Sequence, residues 1–265
     1  MPDDHSPLIR TDIPHSARIW NYWMGGKDYY EIDQIAGDAG VEVDPDITTM
    51  AVQSRQFLIR AVRYLAGEQG IRQFLDIGTG LPTMQNTHEV AQSVIPEAKI
   101  VYVDNDPLVL THARALLTST SDEGVTTYVD CDFHNPEQIV SDAKNVLNFN
   151  EPIGVMFMGV LGHAKTYDEL LRIVHTVLDA VPSGSYLVMW DGTDDSQAYV
   201  TLCENYTGTG GDPYTPRPQA QIQAVFDGLE LVEPGFVSIT EWRAGETEVG
   251  DIRPISAYGA VARKP

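Results

Sequence analysis

The chain is poor in cysteine and in positive charge. Only Cys131 and Cys203 occur among 265 residues, far apart in sequence, and a disulfide framework is not expected. Lysine and arginine together number 17 against 38 acidic residues, a net charge of −21. That balance disfavours long nucleic acid and anionic membrane surfaces as partners. No apolar run reaches the about 18 residues of a spanning helix, and the N-terminus lacks a signal-peptide pattern. The expectation is a soluble, cytoplasmic protein. Seven histidines are scattered without paired ligand spacing, so no metal site is indicated. Internal repeats and low-complexity tracts are missing too.

What is present begins with Arg72-Gln-Phe-Leu-Asp-Ile-Gly-Thr-Gly80. A short apolar run ends in Asp76, and Gly78 and Gly80 follow at once. This reads as a strand entering a tight turn where the backbone approaches a ligand. A dinucleotide turn of the Gly-x-Gly-x-x-Gly type needs a third glycine, but Leu81-Pro82-Thr83 stands there. The acid before the turn also repels phosphate. It suits a ligand bearing an amino or sulfonium cation, and S-adenosylmethionine is such a ligand.

Around this turn the chain alternates. Strand-like runs fall at 72–77, 98–104, 125–130, 152–159 and 184–191, with helical patterns near 83–94, 107–118, 135–144 and 166–180. Such alternation predicts a parallel sheet with helices on both faces. Helices near 194–206 and 217–228 follow, then β-rich runs at 229–240 and 255–263 that are best paired antiparallel. Upstream, a polar start leads to an aromatic-rich helix from Pro14 that halts at Gly25-Gly26. Asp28 with Glu31 reads as the cap of a second helix, and a longer helix follows Asp46.

Several strand ends carry chemistry. Asp104 ends the second strand and can bind a ribose diol; its rival role is capping the helix at Pro107, which is given to Asp106. Asp132 and Phe133 follow the third strand, where they would meet an adenine amino group and ring, or form an Asx-type turn with Phe133 in the core. The fourth strand ends in small residues including Gly159, a wall beside the methyl group. His163 after it is a candidate base or a structural histidine. Asp191, Asp194 and Asp195 follow the fifth strand; capping by Asp194 or Asp195 explains much of that cluster better than metal does. The 207–216 loop is glycine-rich without the lysine of a phosphate loop, and reads as a flap or a surface loop. Trp20, Tyr22 and Trp23 have core-like spacing, whereas the Gly25-Gly26-Lys27-Asp28 break would close a pocket over the strand ends.

These residues resemble a known family. Asp76-Ile-Gly-Thr-Gly80 followed by Asp104 looks like the first two motifs of class I S-adenosylmethionine-dependent methyltransferases. Pro14-His-Ser-Ala-Arg-Ile-Trp-Asn-Tyr-Trp-Met-Gly-Gly-Lys-Asp28 with Val103-Asp-Asn-Asp-Pro107 resembles a narrower actinobacterial group, the S-adenosyl methyltransferases. The resemblance covers about Pro14 to Arg263. It implies a Rossmann-like, seven-stranded, mostly parallel sheet with an antiparallel C-terminal hairpin. Residues 1–70 would form an N-terminal helical cap segment and 71–265 the cofactor-binding domain. Asp76, Gly78 and Gly80 would surround the methionine part, Asp104 the ribose, and Asp132 with Phe133 the adenine, with Thr79 and Asn105 also among the cofactor-binding residues. Gly159 would line the pocket, with Tyr22, Gly26 or Lys27 near it.

The expected activity is methyl transfer from S-adenosylmethionine, leaving S-adenosylhomocysteine, to a small neutral or cationic acceptor. Tyr22, His163 and Asp191 are the candidate bases. The Asn/Asp-Pro-Pro-Tyr/Phe motif of nucleic-acid amino methylases is missing after the fourth strand. The rivals are a cofactor-binding regulator without transfer and a nicotinamide-dependent oxidoreductase, the latter disfavoured by Asp76 and Thr83.

Overall fold

In the computed structural model, residues 9–82, 85–116, 118–245 and 253–265 are described. Thr83 and the acidic loop around 246–252 lie outside them. Three helices come first: α1 (Ser16–Trp23), α2 (Glu31–Val43) and α3 (Ile47–Gly67). His15 caps α1, its ring accepting from Ala17 N–H. The cap of α2 is Tyr30 rather than Asp28, because the Asp33 carboxylate reaches back to accept from Tyr30 N–H at 2.9 Å. An acid inside the first turn satisfies the free amide that an upstream Asp28 does not.

The alternating part runs β1 (Gln73–Ile77), α4 (Thr87–Val94), β2 (Lys99–Asp104), α5 (Pro107–Leu116), β3 (Val125–Asp130), α6 (Pro136–Ala143) and β4 (Gly154–Met158). It continues through α7 (Tyr167–Ala180), β5 (Tyr186–Gly192), α8 (Gln197–Gly208), α9 (Gln219–Ala224), β6 (Glu230–Leu231), β7 (Val237–Ser238) and β8 (Ala257–Arg263). The sheet order is β3-β2-β1-β4-β5-β8-β6, with β7 also on β8. Strands β1 to β5 are parallel, and β8 is antiparallel to β5, β6 and β7.

The expected seven strands become eight because one edge strand is split. Glu230 pairs with Arg263 and Ser238 with Tyr258, so β6 and β7 follow a single edge of β8. Between Leu231 and Val237 lie five residues, opposite only two on β8, and the surplus bulges out. The cap of α8 is Ser196, which accepts from Tyr199 N–H, rather than Asp194 or Asp195. Asp195 instead accepts from Thr193 and Gln219.

Strand alternation divides the core. Phe74, Ile100, Tyr102, Met156 and Val188 face α3 and α4, while Leu75, Ile77, Val101, Val155 and Leu187 face α6 and α7. Phe57, Leu65 and other buried residues of α3 share one cluster with the strands. The expected boundary at residue 70 therefore falls inside a continuous core, between α3 and β1. Among the described residues, no helix is long and apolar enough to cross a membrane.

Candidate active site

The strand order reverses at β1, which lies between β2 and β4. Neighbouring crossovers leave in opposite directions there, and a crevice opens at the carboxyl ends of the strands. A cleft of about 780 Å³ occupies this position, within the usual range for small-ligand sites.

Asp76 is on the same strand face as Phe74, towards α3 and α4. It is 2% exposed, and Thr87 Oγ1 of α4 donates to its Oδ2 at 2.7 Å. Burial pushes its pKa up to about 6, against the opposing pull of the Thr87 hydrogen bond and the Arg55 guanidinium. The turn after β1 hangs on β2, with Gly78 N–H and Thr79 N–H both donating to Val103 O. Gly78 has φ +74°, and a Cβ there would stand 2.4 Å from Val160 Cγ2. Glycine is required twice over at this point, by the backbone and by the neighbour.

Asp104 is tied to that turn. Its Oδ2 accepts from Gly80 N–H at 2.8 Å, and its Oδ1 from the amides of Asn105 and Asp106 at 2.9 and 3.0 Å. Burial raises its pKa, although these amides pull the other way. Asp106 caps α5 through Leu108 N–H at 2.8 Å. Asp132 Oδ1 accepts from His134 N–H at 2.9 Å, an Asx-type turn, and Phe133 stacks on His134 with ring centres 4.0 Å apart. Asp76, Asp104, Asp132, Phe133 and His134 border the cleft, as do Gly78, Thr79, Gly80, Asn105 and Gly159, whereas Asp106 does not. Gly159 has φ +76° and lies over the Trp190 ring, where a Cβ would come within 2.5 Å.

A family model described as S-adenosyl methyltransferase matches residues 2–265. A crystal structure of a DUF574 family protein from Streptomyces avermitilis is 42% identical, with a TM-score of 0.92, covering 97% of this chain and 100% of the other. A presumed methyltransferase from Thermobifida fusca is 38% identical, with a TM-score of 0.87 and 97% of each chain covered. The chain belongs to the S-adenosyl methyltransferase family. Mitomycin 7-O-methyltransferase, 15% identical with a TM-score of 0.52 over 94% of this chain and 68% of its own, shares the fold. No match was found among curated proteins. This S-adenosyl methyltransferase accordingly takes S-adenosylmethionine as its methyl donor.

The N-terminal helices of the methyltransferase do border the cleft, but through other residues than expected. His15, Ser16, Ala17, Trp20 and Met24 line it; Tyr22, Gly26 and Lys27 do not. Tyr22 is turned outward, hydrogen-bonded to Asp38 and edge-on to Tyr29. Gly26 makes room for Asn21, whose carbonyl oxygen would lie 2.2 Å from a Cβ. Lys27 is exposed.

Asp191 is also displaced from the cleft. It is 2% exposed beneath Tyr214, which donates to its Oδ1 as Gly192 N–H does, while its Oδ2 has no formed hydrogen bond among the described residues. Burial pushes its pKa to about 6. His163 does border the cleft, in a 3-10 turn after β4. Its Nδ1 lies 3.0 Å from Pro213 O, and burial lowers its pKa. The 207–216 loop is pinned here as well, since Thr215 N–H donates to Gly162 O and Tyr214 fits against Gly162.

Arg55 and Thr87 join the site through Asp76, although no motif in the sequence marks them. The signal for Arg55 was its place on the inward stripe of α3, four residues after Ala51 and three before Leu58.

Proposed function

We propose that the cleft holds S-adenosylmethionine with its aminoacyl end at Asp76, Gly78 and Gly80, its ribose at Asp104 and its adenine by Asp132 and Phe133. One observation carries this reading: Asp76 and Asp104, on neighbouring parallel strands, border a single cleft and are joined through the turn at Gly80. An acid held close to neutral pH gains most from a bound cation, because the ligand's ammonium replaces lost solvation. The two outer lone pairs of Asp104 Oδ2, only one of them used by Gly80, leave an acceptor for a ribose hydroxyl.

The bound donor supplies a methyl carbon on a sulfonium, open to in-line displacement. What the chain contributes is placement and dryness. Trp20 and Met24 from the N-terminal helices, with Met158 and Trp190, border the cleft with apolar surface that keeps water from the reacting centre. The acceptor in this reading is a small molecule rather than nucleic acid, in keeping with the net charge of −21. A cytoplasmic location belongs to the same proposal, and Cys131 and Cys203, both buried and unpaired, suit a reducing compartment.

Calorimetry with S-adenosylmethionine and S-adenosylhomocysteine tests the assignment. Asp104→Ala should weaken both by roughly 1–3 kcal/mol through loss of charge-assisted hydrogen bonds. Unchanged affinity would return Asp104 to a purely capping role.

A further inference from the structure

A second cavity, of about 110 Å³, adjoins the cleft and lies among α1, α2 and α8. It shares Ser16, Trp20 and His163 with the cleft. Among the described residues, its walls carry the rings of Trp20, Trp23, Tyr199, Tyr206 and Tyr214, and no Asp, Glu, Lys or Arg. In a chain so rich in acids, a neutral lining beside a cleft walled by Asp76, Asp104 and Asp132 is a selective feature.

The rings are held. Trp20 packs edge-on to Trp23 at 5.7 Å and to Trp190 at 5.9 Å between centroids. Trp23 Nε1 donates to Gly37 O at 3.1 Å, and Tyr214 is fixed on Asp191. A box built in advance loses little side-chain freedom on filling. Its volume is of the order that admits one ring, since an apolar cavity of about 150 Å³ binds benzene. Close packing elsewhere makes such an unfilled aromatic space a loss of dispersion contacts that a ligand restores.

Neutral polar groups break the apolar wall: Ser16, Asn205, Thr209, the Tyr206 hydroxyl and His163. The Tyr206 hydroxyl is buried near Ser16 and, among the described residues, has no formed hydrogen bond. His163 stands at the junction of the two cavities. With Nδ1 turned to the Pro213 carbonyl, the proton sits on Nδ1 and Nε2 keeps its lone pair. A neutral imidazole accepts from a hydroxyl.

The geometry points to this cavity as the acceptor subsite, taking a neutral one-ring aromatic compound whose hydroxyl hydrogen-bonds to His163 at the mouth of the cofactor cleft. The assignment rests on the cofactor reading above, which puts the methyl donor on the other side of Trp20 and His163. It narrows the acceptor from neutral or cationic to neutral. A charged ring finds no counter-charge among the lining residues and would be desolvated without compensation.

Phenol, benzoate and toluene, titrated against the protein with saturating S-adenosylhomocysteine, test the proposal by tryptophan fluorescence and saturation-transfer NMR. Phenol should bind at least tenfold more tightly than benzoate and more tightly than toluene, and His163→Phe should erase its lead over toluene. Ala36→Leu, which narrows the cavity, should weaken phenol tenfold or more while S-adenosylhomocysteine affinity stays within twofold. Leu202→Ala widens the cavity and should shift preference towards 2-naphthol, which keeps the test open if Ala36→Leu does not fold. Benzoate binding as tightly as phenol, phenol binding unmoved in both cavity variants, or no phenol binding to protein that holds S-adenosylhomocysteine would each overturn the subsite. Phenol bound without any S-adenosylhomocysteine affinity overturns the cofactor reading, and the acceptor role with it.

Discussion

His15 and Asp106 meet with Nδ1 and Oδ2 3.0 Å apart, joining the cap of α1 to the cap of α5. The same His15 Nδ1 lies 3.3 Å from Ala17 N–H. A bare Nδ1 accepts from Ala17, and an Nδ1 carrying a proton, as it always does in the imidazolium, donates to Asp106. Protonation of His15 therefore turns this contact into a charged link between the N-terminal helices and the end of β2, next to Asp104.

Burial alone would lower the His15 pKa, but the hydrogen bond and charge of Asp106, with the charge of Asp104, raise it above 6.5. Burial would raise that of Asp106, yet His15 brings it below 3.8. A raised histidine contributes fully below its unfolded value and loses its contribution as pH rises through the folded one. A lowered acid contributes above its unfolded value and loses its contribution as pH falls. The pair thus supports the fold most between about pH 4 and 6.5. His15→Ala should lower Tm in that window by roughly 2–4 °C, the equivalent of about 1 kcal/mol in a chain of this size for a partly exposed pair. At pH 8.5 the difference from wild type should shrink, and a pH-independent difference would assign His15 to capping alone.

Asp76 works in the opposite sense. A buried acid raised to about 6 destabilises the empty protein progressively as pH rises from 3.8 to 6. Asp76→Asn should raise the Tm of ligand-free protein by a few degrees at pH 7.5, because the desolvated charge is gone. The same change should weaken S-adenosylmethionine binding about 10–100-fold, or about 1.4–2.8 kcal/mol. In wild type, affinity should fall up to about tenfold per pH unit below 6 as the carboxylate protonates. Thermal melts and calorimetry across pH 5–8 check both arms.

How legible was this in the sequence? The five parallel strands fell within two residues of their expected bounds, because each is an apolar run framed by turn residues. Asp76 and Asp104 could be placed at strand ends because alternation and spacing fix them. The N-terminal residues could not be assigned in the same way. Helical spacing identifies a stripe without saying what faces it. Tyr22 stands about 200° round the helix from Trp20, so the two cannot share a face. Arg55 carries no mark of its role in the sequence, since a lone cation in an apolar stripe has no partner until the fold brings Asp76 to it. The split of β6 from β7 depends on the pairing with β8, which one strand's residues do not encode.

Tyr22→Phe gives a direct check on that correction. The hydroxyl bonds to Asp38 on the outer side of α1 and α2. Removing it should leave S-adenosylhomocysteine affinity within twofold and change stability by no more than about 0.5 kcal/mol, the usual range for a surface substitution. Loss of tenfold or more in affinity by calorimetry would put Tyr22 back in the cofactor cleft.

The two glycines of the β1 turn should respond differently to alanine. At Gly80, φ is +68° and an added Cβ would find only Ala17 Cβ, 4.0 Å away. Gly80→Ala thus carries the left-handed backbone strain alone, about 1–2 kcal/mol. At Gly78 the same strain is joined by overlap with Val160, whose Cβ and Cγ2 would lie 2.6 and 2.4 Å from the new carbon. Overpacking of this kind adds about 1–3 kcal/mol, and relief by backbone movement would shift the Val103-bonded turn that carries Gly80 and its link to Asp104. Gly78→Ala should therefore be the less stable protein and the weaker binder of S-adenosylhomocysteine. Adding Val160→Gly should recover the overlap part and leave the backbone part. Equal losses for the two alanines, unaltered by Val160→Gly, would mean that left-handed backbone alone sets the requirement for glycine in this turn.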